Sequence, residues 1–594
     1  MAQIPVVLIA PLFDLYAAPS LGVSILKASL ARGGIRSKVL YPSAMLLEEI
    51  GPDLWEELAA GRANSLIFEC LFAPLAHKDH PPLSADLFNG NEIPEYLRDF
   101  YRAAGQAGRN LTQAMLDKAL AGCRRCVERI TAEAALLRPG IVGLSNTYQG
   151  ANGAIALARS IKRVLPGTIC VVGGSNCLGE MGRALAEGVP ELDYVFQGEA
   201  DFAFADFCRD ILTCGRLPAT KLIACESPSD LDLVPQPDYS DYFADHDVSP
   251  RRVFLPFESS RGCWWGQRRR CTFCGEPGVS EAYRFKSPER MLKELWEQKE
   301  KHPGVETFFA VDAIMPYQYY DTFLAELAAN GFGGSFIYET KANLSAGQVG
   351  QMRKAGIVRI QPGIESLSSR LLQLLGKGTD AVTNIRFLRH CREAGIHPVW
   401  SLLVGIPHDR AADYGEQARL MPFIRHLAPP VITPVFLQRG SPYCEKSGRH
   451  GITGLKPLPA YSYAFPAPLD INRLACFFHG RFASESRERP EVLAPLGQQV
   501  LLWQDSWRKE TGPPELSLTR AGREGWQLTD TRTRDGRGPQ AIDAGERELL
   551  RRCRHGIAAA PLSGDGRVSL LLDRGLLVAV DDVLLSVVCE TDPS

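Results

Sequence analysis

Three cysteines crowd the stretch Gly262-Cys263-Trp264-Trp265-Gly266-Gln267-Arg268-Arg269-Arg270-Cys271-Thr272-Phe273-Cys274-Gly275, with seven residues between the first two and two between the last two. Such a thiol triad suits a [4Fe-4S] cube, because a cube gripped by three cysteines keeps one iron open to a small ligand. Cys271 and Cys274 can reach neighbouring irons, while Cys263 approaches from the start of the loop. Zinc would want a fourth Cys or His; the nearest after Cys274 is His302, beyond a helical stretch. A thioredoxin-like pair would leave Cys263 idle. Cys123 and Cys126 share the two-residue spacing, but they have no partner thiols and suit a helix surface better than a metal site.

The elements that must hold this loop alternate short apolar runs with longer helical ones, the pattern of parallel α/β architecture. Strands are expected at 6–10, 37–41, 141–145, 169–174 and 194–198, with helices at 21–32 and 154–164 and an irregular, then helical insertion from about 50 to 135. This makes one doubly wound, Rossmann-like domain over 1–225. A Pro- and Asp-rich linker spans 226–250. A second series over 251–454, with strands at 253–257, 305–311, 335–339, 358–363, 397–404 and 431–437, reads as a partial (β/α)6 barrel whose chemistry belongs at the carboxyl ends of its strands. Residues 455–594 are expected to form a small α+β, winged-helix-like domain, with a helix at 544–554 and strands at 568–572 and 583–588.

The 594 residues are 45% hydrophobic and 23% charged, and 66 Lys+Arg against 68 Asp+Glu leave a net charge of -2. That balance gives no footprint for nucleic acid or an anionic membrane. The N-terminal run lacks a basic region and a cleavage site and is too short to span a bilayer. Sixteen cysteines without disulfide-scaffold spacing fit a reducing cytoplasm, most of them, such as Cys170, Cys208 and Cys225, serving as small buried hydrophobes.

The phrase SSRGCWWGQRRRCTFCG resembles the radical S-adenosylmethionine (SAM) superfamily, within it the cobalamin-binding class, and more closely the maturation enzymes of ribosomally made peptides. The superfamily's usual spacing is C-x3-C-x2-C; the longer first gap is a feature of the peptide-maturation group. The resemblance covers roughly 4–450. It implies that Cys263, Cys271 and Cys274 bind the cluster, that Phe273 and Gly275 face SAM, and that Glu339, Lys341, Glu365, Ser366 and Gly405 line the SAM site. Glu339, Tyr338 and Asp312 become candidates for catalytic contact. Bland alternatives are that Glu365 caps a helix near Ser368 and that Lys341 is a solvated strand-end charge. Trp264 and Trp265 are expected to pack the loop onto the barrel, and Arg439-Gly440-Ser441-Pro442-Tyr443 to line a substrate mouth. Arg268, Arg269 and Arg270 suit either an acidic partner or a solvated loop.

In the first domain, glycines at strand ends leave room for a large flat ligand. Pro19-Ser20-Leu21-Gly22, Ser145, Gly173-Gly174-Ser175 and Gly198-Glu199 resemble a cobalamin-binding domain. The lower-ligand motif D-x-H-x-x-G is missing at Asp14-Leu15-Tyr16, so cobalt would lack a protein imidazole. Together these resemblances imply a C-methyltransferase acting on an unactivated carbon of a precursor peptide, reduced by a flavodoxin or ferredoxin. The alternatives are a peptide cyclase or other carbon–carbon bond former without methyl transfer, and a non-catalytic sensor.

Overall fold

The computed structural model describes every residue except 1–3, 14–16, 60–65, 90–110, 277–281, 522–524, 533–536, 563 and 591–594; Asp14, Leu15 and Tyr16 therefore lie outside the described residues. Apolar runs buried on both faces form parallel strands covered by crossover helices. β1 (Val6–Ile9), β2 (Ser37–Leu40), β3 (Ile141–Ser145), β4 (Ile169–Gly173), β5 (Tyr194–Gln197) and β6 (Leu222–Ala224) make one sheet in the order β2-β1-β3-β4-β5-β6. All its pairs are parallel. The strand order reverses between β1 and β3, which opens a crevice at their carboxyl ends. β6 is a strand that the sequence did not announce.

The insertion is not an appendage. Its helices Pro42–Ile50, Ile67–Ala76 and Gln113–Leu137 pack with Val7, Ile9, Val142 and Val172 in one core. Cys123 and Cys126 lie in this core rather than on a helix surface, because Gly122 lets the long helix press against Ile50 and turns the thiols inward. Cys170 and Cys208 are buried as expected, whereas Cys225 is only half-buried.

Glu69 carries a buried carboxylate in the same core. The N–H groups of Ala151 and Asn152, at the start of helix Ala151–Val164, donate to it at 2.9 and 2.7 Å. Burial nevertheless outweighs these bonds and raises its pKa from 4.5 to about 7. A carboxyl whose folded pKa lies above its unfolded one stabilises the fold at low pH, and that contribution is lost as pH rises through about 7. Between pH 5 and 8 the stability of Glu69→Gln should therefore gain on wild type by about 2–3 kcal/mol. Urea unfolding at both pH values measures this, and a difference that does not move with pH refutes it.

The second sheet gathers β7 (Phe254–Phe257), β10 (Thr307–Ala310), β11 (Ser335–Thr340), β12 (Ile357–Pro362) and β13 (His397–Pro398), in the order β13-β12-β11-β10-β7. Between β7 and β10 in the chain, β8 (Ser260–Arg261) and β9 (Arg284–Phe285) form a small antiparallel ribbon. β14 (Ser401–Val404) pairs in parallel with β15 (Val431–Pro434), and a bridge from Glu365 to Leu402 joins them to β12. All five-strand pairs are parallel, so β7, β10, β11, β12, β13/β14 and β15 are six staves of an open barrel.

Two expectations fail beyond it. A break at residue 455 would cut through a sheet: Leu437–Gln438 and Thr453–Pro457 both pair with Phe477–Arg481. Tyr461, Phe465 and Leu474 then enter the core of the first sheet's helices. Val568–Leu572 is not a strand but part of helix Gly566–Asp573, where the Asp565 side chain accepts from Arg567 N–H and only Val568 and Leu571 are buried, a helical spacing. That helix stands beside a three-stranded sheet of Ile557–Ala558, Val583–Ser586 and Leu577–Val580, and a second sheet of four strands contains Leu516–Ala521 and Gly525–Asp530.

Candidate functional site

The cysteine loop leaves β8 and is held at every turn by barrel backbone. The Gly266 N–H donates to Cys263 Sγ at 3.4 Å. Trp264 Nε1 donates to Met315 O at 3.3 Å, and Trp265 Nε1 to Gly376 O at 3.2 Å. The indoles thus fasten the loop to the barrel. Thr272 N–H donates to Leu375 O at 2.9 Å, and Tyr443 N–H returns the favour to Thr272 O at 2.9 Å. Gly275 is required because a Cβ there would overlap Arg439 O; the 439–443 segment accordingly lies against the cysteine loop.

Burial pushes the Cys271 and Cys274 thiols up, Cys274 to about 11; Cys263 adds to both shifts, and Cys271 adds to that of Cys274. Among the described residues no three Cys, His, Asp or Glu are set to hold a single metal ion. The donor set itself, three thiols on one loop, suits a multi-iron cube that keeps one iron open.

Around the loop stand several of the expected polar groups. Lys341 is buried rather than solvated: its Nζ lies 3.2 Å from the centre of the Trp265 ring and donates to Lys377 O at 2.7 Å. Burial and the nearby Lys377 charge lower its pKa to about 8. Lys377 Nζ reaches Glu365 at 3.2 Å and lies 5.8 Å from the Phe273 ring. Glu365 is therefore an ion-pair partner, whereas the helix after it is capped by Ser368. Glu339 is half-buried; burial first, then the carboxylates of Glu276, Asp312 and Glu365, raise its pKa to about 7. Gln361 Nε2 donates to it at 3.3 Å.

Other residues face away. Asp312 is buried and accepts from the N–H of Ser259 at 2.8 Å, from Ser259 Oγ, and from Ser260 Oγ at 3.1 Å. Burial still raises its pKa to about 7. Tyr338 Oη donates to Ser259 Oγ at 3.0 Å. Asp312 and Tyr338 thus grip the strand that leads into Cys263. Ser366 donates to Gln417 Oε1 at 3.0 Å in the interior, and Gly405 turns the chain at φ +72°.

In the first sheet, Ser20, Leu21, Gly22, Ser145, Gly173, Gly174, Gly198 and Glu199 line one cavity of about 420 Å³ at the β1/β3 crevice. Ser175 opens a single 3-10 turn just past Gly174. A side chain at Gly22 would meet no atom within 4 Å, and one at Gly173 would touch only Phe196. These two positions keep open the space that a flat macrocycle needs. Glu258 and Arg261, the latter two residues before Cys263, also line this cavity.

Arg261 is the residue that the sequence reading missed. Its guanidinium meets Glu199 at 2.6 Å, Asp201 at 2.7 Å and Glu258 at 2.7 Å, and Glu199 also binds Arg284 at 2.6 Å. Burial opposes the charge on Glu199, but the two arginines outweigh it and hold the carboxyl below its ordinary range. A sequence signal for this network exists only as charges at the ends of β5 and β8, 60 residues apart. Arg268 and Arg269 are exposed, while Arg270 pairs with Glu445 at 3.2 Å.

The radical SAM superfamily model matches residues 257–421. An uncharacterized methyltransferase, PH0819 of Pyrococcus horikoshii, is 25% identical over 288 residues, covering 46% of this chain and 61% of that relative. Among solved structures, the cobalamin-dependent SAM radical enzyme OxsB, with aqua-cobalamin and SAM bound, superposes with a TM-score of 0.55 at 15% identity, over 85% of this chain and 67% of that one. The radical SAM methyltransferase TsrM of Kitasatospora setae, with cobalamin and a [4Fe-4S] cluster bound, does so at 0.52 and 13% identity, over 84% and 89%. At these identities the two structures speak for the fold.

Proposed function

We propose that this radical SAM enzyme is a cobalamin-dependent methyltransferase that acts on an unactivated carbon of a ribosomally made peptide. The observation that carries the reading is the apposition of two sites: Arg261 lines the β1/β3 cavity and stands two residues from the first cluster thiol. OxsB and TsrM, which pair cobalamin with radical SAM chemistry, support it. In this reading residues 1–225 hold the corrin and 251–454 hold the cluster and SAM.

When bound, the cluster would supply the electron for reductive cleavage of SAM, and cobalamin would supply a carrier for the methyl group. The chain's own residues position and exclude. Cys263, Cys271 and Cys274 hold the cube. Phe273, Gly275, Lys341, Glu365 and Gly405 surround SAM, Ser366 bracing that wall from behind. Ser145, Gly173, Gly174, Ser175 and Gly198 give the corrin a smooth floor, and Glu199 anchors that floor to Arg261 and Arg284. Asp312 and Tyr338 position the loop through Ser259, and Glu339 holds a proton at the lumen edge. Both buried arginine contacts and the loop's tryptophans keep water from the space between. No helix among the described residues is long and apolar enough to cross a membrane. We place the enzyme in the reducing cytoplasm, with a flavodoxin or ferredoxin as electron donor.

Anaerobic reconstitution with iron and sulfide, with and without hydroxocobalamin, tests the reading. Mass spectrometry should find 5′-deoxyadenosine in both samples and a peptide heavier by one CH2 per methyl only with cobalamin. A product formed equally well without cobalamin, and without added mass, would overturn methyl transfer in favour of ring or carbon–carbon bond formation.

A further inference from the structure

Alternate residues of each barrel strand face the outer helices and the lumen. The outer set, Leu255, Phe257, Phe308, Phe336, Tyr338 and Ile360, is buried in the main core with the helices. The inner set is not packed shut: Phe254, Val311 and Val431 keep 37%, 43% and 48% of their surface exposed. In a closed barrel, inward residues of these types fill the interior in layers. Here they stand as walls. Register places Phe309 beside Ile337 and Ile337 beside Arg359. These three, with Phe254, Gln361 and Val399, enclose a cavity of about 270 Å³ whose upper end is Glu339.

Arg359 is out of character with its surroundings. It projects from the middle of β12 into an apolar chamber, and among the described residues no carboxylate or carbonyl holds its guanidinium. Its cross-strand neighbour is His397, which offers no negative charge. Gln361, two residues on and therefore on the same face, adds an amide. Arg359 is exposed to the open lumen while it lines one cavity with Phe309, Ile337 and Val399, so its guanidinium is within reach of a solute that enters there. Guanidinium forks bind carboxylates with two parallel hydrogen bonds, and they do so best where apolar walls limit competition from water.

We propose that Arg359 receives a carboxylate of the substrate, whose neighbouring apolar group lies against Phe254, Phe309, Ile337 and Val399. The proposal rests on the lumen being the reaction chamber of the radical enzyme, and it names the class of molecule admitted: one that joins an anionic carboxylate to an apolar side chain. Such a carboxylate can come from an acidic side chain within a peptide or from a free chain end.

The test is titration calorimetry on the anaerobically reconstituted full-length enzyme, using three probes. N-acetylphenylalanine carries a free α-carboxylate, N-acetylphenylalaninamide carries none, and N-acetylglutamyl-phenylalaninamide carries a side-chain carboxylate. Wild type should bind at least one of the two acids about tenfold or more tightly than the neutral amide, and Arg359→Met should erase that preference while leaving the amide's affinity alone. Arg359→Lys should retain part of it, since it keeps charge but lacks the fork. The acid that shows the effect tells a side chain from a chain end. Iron–sulfur absorption equal to wild type verifies that each variant is folded. Equal affinity for acids and amide, no binding of any probe, or an acid affinity unchanged in Arg359→Met overturns the proposal. These readouts need neither cobalamin nor methyl transfer, so failure here is distinct from failure of the proposed function.

Discussion

Alanine at any one of Cys263, Cys271 or Cys274 should abolish the iron–sulfur absorption of the anaerobically reconstituted protein and bring SAM cleavage to background. A cube held by two thiols has two open corners and loses iron to solvent, so the expected loss is complete rather than graded. The effect should be specific to this triad. Cys214, exposed at the end of helix Ala203–Cys214, is an apt control, and its alanine variant should keep about four irons per chain. Iron content, visible absorption and 5′-deoxyadenosine yield measure the outcome together. Retention of the cluster in any single variant, or loss of it in the control, would remove the foundation of the radical reading.

The next largest effect is expected at Arg261. Its side chain is 14% exposed and its partners Glu199, Asp201 and Glu258 are 21%, 7% and 10% exposed. Deleting the cation leaves three acidic groups crowded together, with Arg284 still paired to Glu199. Truncating one member of a buried network costs about 3–5 kcal/mol, far more than a surface pair. Arg261→Met should therefore lower the stability measured by urea unfolding by that amount. Arg261→Lys should recover only part of it, since a single ammonium cannot bridge three carboxylates as a planar fork does. A loss below about 1 kcal/mol would mean that water already screens these contacts.

The six barrel staves were legible because strands covered on both faces leave apolar runs at regular spacing. The three thiols were legible because their spacing alone limits the chemistry. The glycines of the crevice could be ordered along the sequence, and Ser145, Gly173, Gly174, Gly198 and Glu199 do line one cavity. What escaped depends on distance. Arg261 meets partners 60 residues upstream, and nothing in its local sequence separates it from a solvated strand-end charge. Arg359 reads as one more basic residue until the register of β11 and β12 turns it inward. Val568–Leu572 misled because a run of branched and leucine side chains suits either a buried strand or a helix, and the cap at Asp565 decides it. The division near 455 failed because composition changes there while strand pairing does not.

Trp264, Trp265 and Thr272 tie the cysteine loop to Met315, Gly376 and Leu375 through protein contacts alone. Two of those ties reach 51 and 111 residues along the chain, so the loop takes its shape from the barrel around it and not from its own sequence.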